Sequence, residues 1–217
     1  MEAKKAILRT LAYADIFAYP LTIREIERFL ITPRKVDQNK IQKELDQMKK
    51  KRSVCFKGGY YFLAGREGII ATRRKKERFS QDKLKKVRRV ARWLRLIPTV
   101  KLVGATGSLA MRNADLEDDL DLLIVSSQDR LWLTRLLVIF LVELVDQRRK
   151  PRDKNVKDKV CLNMFLAEDH LKVPQKEQDL YSAHEVVQLM VLEEKDGCYQ
   201  KFIGANLWSK KYLANWK

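Results

Sequence analysis

Residues 99–127 read TVKLVGATGSLAMRNADLEDDLDLLIVSS, and the phase of the acids in this stretch decides how the larger part of the chain folds. Thr99 to Val103 is rich in β-formers, and Gly104-Ala105-Thr106-Gly107 turns the chain toward a helix expected to begin near Ser108. A glycine in that turn lets a phosphate approach the backbone. The unsatisfied amides of a helix start, with the Ser108 hydroxyl beside them, then form an anion site. Eleven residues beyond Ser108, Asp119 and Asp121 open the apolar strand Leu120 to Val125. Residues two apart on a strand share a face, so the two carboxylates stand side by side. Such a pair repels itself and resists desolvation beside a sheet core unless a divalent cation neutralises it, and oxygen donors of this kind suit Mg2+ or Mn2+. An acidic turn is the competing reading, because Asp115, Glu117 and Asp118 are close by. A solvated turn, however, has no need of carboxylates at this phase of a buried strand.

Working toward the N-terminus, Ile7, Leu8, Leu11, Ala14 and Phe17 recur at helical spacing until Pro20 stops the pattern. Thr22 and Glu25 have capping-box spacing, which predicts a second helix with Ile23, Ile26, Phe29 and Leu30 turned inward. After the Thr32-Pro33 break, Asp37 is the predicted N-cap of a third helix. Ile41, Leu45 and Met48 face its core, and Gln38, Asn39, Lys40, Gln42 and Lys43 face outward. SVCFKGGYYFLA then reads as two strands joined at Gly58-Gly59, a dipeptide that tolerates the positive φ of tight hairpins. Three helices followed by a ribbon resemble the winged helix-turn-helix class, over roughly residues 3–64. The resemblance implies nucleic-acid contact through the third helix and the ribbon, with Gln38, Asn39, Lys40, Lys43 and Lys57 as the contacting residues. Protein contact is the other role such domains serve.

Residues 67–97 read as one long basic helix. Ile70, Leu84, Val87, Ala91 and Leu94 fall on one side, and Arg73, Arg74, Lys75, Lys76, Lys85, Lys86, Arg88 and Arg89 on others. This helix is expected to be either a solvated linker or a face that tracks phosphates. Pro98 ends it. The net charge of +17 arises entirely in residues 1–100, which hold 27 Lys/Arg against 10 Asp/Glu, whereas residues 101–217 hold 18 of each. That asymmetry suits a polyanion and leaves a merely soluble basic face as the alternative. Cys55, Cys161 and Cys198 have neither disulfide-framework nor zinc-site spacing, so a reducing, cytoplasmic setting is expected. The opening residues lack a signal peptide's apolar core. Leu131 to Val145, interrupted by Arg135 and Glu143, is too short to span a bilayer and is expected to be a buried helix.

A Gly-Ser turn, a helix, and then Asp-apolar-Asp-apolar are together similar to the signature of the polymerase beta nucleotidyltransferase superfamily, particularly its small members. The resemblance covers residues 99–126 and, with the following strand, extends to about residue 166. It implies an α+β chain: a winged-helix domain over 1–66, a basic linker helix over 67–98, and a mixed-sheet nucleotidyltransferase domain with flanking helices over 99–217. Gly107 and Ser108, with Thr106 and Arg112 near them, would hold the phosphates of a nucleoside triphosphate, and Asp119 and Asp121 would hold Mg2+ or Mn2+. A hydroxyl would then attack the α-phosphate with loss of pyrophosphate. Members usually carry a third carboxylate on a neighbouring strand. In VCLNMFL, residues 160–166, Asn163 stands at the matching place, and Asp158 and Asp169 near the strand's ends are substitutes if the register differs. Leu109 replaces a common basic residue, and Arg112, in place of a common glycine, either binds phosphate or fills part of the pocket.

Weaker candidates surround this core. His170 and His184 lack ligand spacing; Arg148, Arg149, Lys150 and Arg152 read most simply as a solvated loop, with triphosphate or polynucleotide contact as the alternative; and Tyr199, Phe202, Trp208, Tyr212 and Trp216 read as packing surface, with base stacking the lesser reading. Three function classes follow: an active transferase, a nucleic-acid-binding regulator with a degenerate nucleotide-sensing domain, and an antitoxin-like modifier of a partner protein.

Overall fold

The structure, a computed structural model, describes residues 2–145, 148–150 and 152–216. The chain forms two compact units, both discontinuous in sequence. The first comprises Met1–Lys75, Glu177–Val187 and Trp208–Lys217, and the second Lys76–Lys176 and Gln188–Leu207.

In the first unit, α1 (Glu2–Ile16), α2 (Ile23–Arg28) and α3 (Gln38–Lys50) are followed by a hairpin of β1 (Val54–Lys57) and β2 (Tyr60–Leu63). The expected caps are in place. Thr22 and Glu25 form a reciprocal capping box, and the Asp37 side chain accepts from the Asn39 amide. Ile26, Ile41, Leu45 and Met48 are buried, and Gly58 and Gly59 both take positive φ in the hairpin turn. The C-terminal segment closes the same unit. The Thr32 amide donates to the Tyr212 carbonyl at 2.8 Å, and the Ala214 amide donates back to the Thr32 carbonyl at 3.0 Å. The buried Asn215 side chain satisfies both backbone groups of Val36. Leu213 and the aromatics Trp208 and Trp216 are buried, so these two aromatics pack as expected.

A buried cation organises this unit. Arg73, near the start of α4 (Ile69–Leu94), pairs in fork geometry with Glu25 at 2.7 and 3.0 Å, and its side chain is only 6% exposed. It also donates to the Pro20 carbonyl and lies over the rings of Tyr19 and Tyr60, 4.0 and 4.7 Å from their centroids. Burial by itself raises the Glu25 carboxyl. The Arg73 hydrogen bond and charge, with bonds from Thr22, outweigh it and hold the group below the ordinary carboxylate range.

The second unit is built on a mixed four-stranded sheet in the order β5-β4-β3-β6. β3 (Val100–Ala105) and β4 (Leu120–Ser126) are antiparallel neighbours, and β6 (Met190–Glu194) pairs antiparallel with β3. β5 (Val160–Ala167) runs parallel to β4 after a crossover carrying α6 (Leu131–Leu144). Between β3 and β4 lies α5 (Gly107–Ala110), a single turn. α8 (Cys198–Ala205) belongs to this unit, whereas α7 (Leu180–Gln188) falls in the first but for its last residue. The core joins the apolar side of α4 (Leu84, Val87, Ala91, Leu94) to Val103, Leu120, Leu122, Ile124, Val138 and Val160. Among the described residues, no helix is long and apolar enough to cross a membrane.

The compact units divide at residues 75/76, inside α4. One expectation needs correction: α6 is not a buried helix. Thr134, Val138 and Val142 rest on the sheet, but Trp132 is 77% and Phe140 63% exposed, and Leu133, Leu136, Leu137 and Leu144 are exposed too. A helix that is apolar all round buries only the ridge its own sheet can cover.

Removing a buried ion-pair partner leaves the other charge uncompensated. Arg73→Ala is therefore expected to cost about 3–5 kcal/mol in urea denaturation. Loss of less than about 1 kcal/mol would refute the organising role of Arg73.

Candidate functional site

The site grows from the C-terminal end of β3. The Thr106 amide donates to the Asp121 carbonyl at 3.1 Å, which continues the β3–β4 ladder into the turn. Gly107 follows with φ +59, a conformation that side-chain-bearing residues rarely take. A Cβ built on Gly107 would lie 3.3 Å from Asp121 Oδ2, so the turn abuts the carboxylate directly. The Thr106 hydroxyl oxygen is buried without a hydrogen-bond partner, a group that gains by meeting a ligand. Ser108 Oγ donates to Asp118 Oδ2 at 3.1 Å, and that carboxylate also accepts the Asp115 amide. Arg112 sits just past α5 at φ +54 with its side chain exposed.

Asp119, Asp121 and Cys161 each bring one ligand atom to a common place, all within 4.8 Å of one another. The two aspartates come together as their phase predicts. The third member differs from the expected one. In the parallel register Asp121 stands opposite Cys161 and Leu122 opposite Leu162, after which a bulge sets Leu123 opposite Met164. Asn163 therefore falls in the bulge, exposed, and Cys161 occupies the position beside the aspartates. Asp158 and Asp169 are no substitutes, being held elsewhere. Asp158 pairs with Lys83 and Lys86, and Asp169 pairs with the exposed His170 at 3.0 Å.

Arg149 is the residue that sequence reasoning undervalued. Its Nη1 donates to Asp119 Oδ2 at 2.5 Å and reaches Cys161 Sγ at 3.9 Å, so a guanidinium stands against the carboxylate pair. Isolated in a run of basic loop residues, it carries no sequence signal that distinguishes it from Arg148 or Lys150.

The loop that presents these acids is bolted to α4. Lys83 Nζ, on a side chain 3% exposed, donates to the carbonyls of Leu116 and Asp118 and to Asp158 Oδ1. The Ala114 amide donates to Ser80 Oγ, and Lys76 pairs with Asp115 at 2.9 Å. Two of the cations of α4, Lys76 and Lys83, thus fix the acidic loop in place, an arrangement the helix pattern did not reveal. The cationic neighbours hold Asp158 below the ordinary carboxylate range despite its partial burial.

Burial, and then the charge of Asp119, push the Asp121 carboxyl above its usual range; the Cys161 hydrogen bond and Arg149 offset this only in part. Burial and the neighbouring Asp121 push the Cys161 thiol up to about 11. Two carboxylates fit a hard divalent cation. The thiol is a soft donor that suits Mn2+ or Zn2+ better than Mg2+ and ligates as the thiolate.

Elsewhere, His184 is buried and stacked on Tyr13 at 4.3 Å, and burial lowers its pKa to about 4, which keeps it neutral. The five residues expected at a nucleic-acid surface, Gln38, Asn39, Lys40, Lys43 and Lys57, are all exposed on α3 and β1. No protein-family model, curated protein or solved structure matches the chain.

The raised Asp121 carboxyl has a consequence for stability. A group whose folded pKa lies above its unfolded one stabilises the fold below the unfolded value and loses that contribution as pH rises through the folded one. At neutral pH the ionised Asp121 is a net burden. Asp121→Asn should therefore raise Tm at about pH 7 in the absence of metal, with the gap closing toward about pH 4, as read by scanning calorimetry. An unchanged or lower Tm at neutral pH would contradict this.

Proposed function

We propose that the chain is a metal-dependent nucleotidyltransferase, which moves a nucleoside monophosphate from a nucleoside triphosphate to a hydroxyl of an acceptor. The observation that carries this reading is the abutment of the Gly107 turn on the Asp121 carboxylate, with Asp119 and Cys161 in the same cluster. Phosphate-approaching backbone and metal-binding acids meet at one place.

In this reading Asp119 and Asp121 hold a divalent cation, with Cys161 at the third position. The ion, when bound, supplies charge neutralisation for the triphosphate and for the oxygen that attacks it. Gly107, lacking a side chain, leaves room for the phosphates to approach the backbone. The unpartnered Thr106 hydroxyl and Ser108, released from Asp118, donate to phosphoryl oxygens. Arg149, which bonds Asp119 in the structure, would offer its fork to a phosphate oxygen where Asp119 held the ion. The acceptor hydroxyl gives its oxygen to the α-phosphorus, the bond to the β-phosphate bridging oxygen breaks, pyrophosphate leaves, and the hydroxyl proton passes to solvent or to Asp121.

The full chain incubated with labelled nucleoside triphosphates, Mn2+ or Mg2+, and RNA, DNA or protein acceptors should release pyrophosphate. Asp119→Ala and Asp121→Ala should each reduce release by at least about a hundredfold. No release across the panel from folded protein would defeat the proposal.

A second reading concerns the first unit. Its order of three helices and a hairpin supports a winged-helix role in nucleic-acid binding, and the exposure of Gln38, Asn39, Lys40, Lys43 and Lys57 is the observation that favours it. Duplex DNA binding by the full chain, followed by fluorescence anisotropy, should weaken linearly in log salt. Lys40→Ala with Lys43→Ala should reduce that slope by about 2. Binding that ignores salt would rule this reading out.

A further inference from the structure

The exposed side of α6 carries the strongest unexplained feature of the second unit. Leu133, Leu137, Phe140 and Leu144 follow one another at steps of four, three and four residues, the spacing that puts side chains in one line along a helix. Trp132 and Leu136 widen the line on one flank. Together these six side chains expose on the order of 800 Å2, beyond the roughly 300–600 Å2 of the largest apolar patch on a typical monomer and close to the roughly 800 Å2 per partner of a standard protein interface. The helix also carries two charges: Arg135 lies over the Trp132 and Phe165 rings, and Glu143 pairs with Arg148 at 2.6 Å.

We infer that α6 is a self-association face, on which a second copy of this chain seats its own α6 about a two-fold axis. The four-three-four seam is self-complementary, and an isologous contact needs one such surface on each copy. An apolar seam of this size, left in water, has the composition of a buried interface core. The pairing is independent of the transferase reading, because no residue of the Asp119 cluster lies on the seam.

Sedimentation velocity and light scattering on the full chain from roughly 1 to 100 μM, the range in which a micromolar association shows, should give a dimer whose fraction rises with concentration. Phe140→Glu and Leu144→Glu, both at exposed positions, should keep the circular dichroism spectrum and melting of the parent while raising the dissociation constant at least about tenfold. Leu207→Glu, an exposed leucine outside α6, should leave it unchanged. A monomer throughout that range overturns the proposal. So does a dimer indifferent to both α6 variants, or cosedimentation of the monomeric chain with phosphatidylserine vesicles that Phe140→Glu abolishes.

Discussion

Two carboxylates at the mouth of a buried strand repel each other, and the second unit is arranged around containing that repulsion. Arg149 meets Asp119 from one side, and the backbone before them is clamped to α4 through Lys83 and Ser80. Burial raises the Asp121 carboxyl, which shows that the containment is incomplete in the absence of further positive charge. A fold stable for its own sake would place an amide or an apolar residue here. Local destabilisation of this sort is characteristic of positions kept for binding or chemistry.

The elements with strong local chemistry were legible. Thr22, Asp37 and the Gly58-Gly59 turn each specify a backbone conformation through a bond or a φ angle that neighbouring residues do not contest, and all three stand as read. The phase of Asp119 and Asp121 was legible for the same reason: strand alternation is a two-residue rule that the apolar run on β4 enforces. The place of Gly107 against Asp121 follows from that phase together with the turn.

What escaped the sequence depends on distant partners. On β5, Cys161 and Asn163 share a phase, so periodicity treats them alike; the bulge in the pairing with β4 separates them, and it leaves no mark in composition. Lys83 looks like any other cation of α4 until the loop carbonyls and Asp158 close around it. The exposure of α6 was hidden because an all-round apolar helix reads as buried whether its cover comes from its own chain or from another. Net charge likewise does not say which cations of α4 meet acids, as Lys76 does with Asp115 and Lys83 and Lys86 do with Asp158.

The interleaving of the two units bears on how the polypeptide is made. Thr32 and Val36 find their backbone partners in residues 212–215, so the opening helices cannot complete their hydrogen bonding until nearly the whole described chain has left the ribosome. At roughly 5–20 residues per second, that leaves the nascent first unit unfinished for many seconds, and the sheet likewise waits for β6 at residues 190–194 before its fourth strand can pair. Vectorial synthesis thus favours an order in which β3, β4 and β5 pair first, β6 joins them, and the helical unit is sealed last.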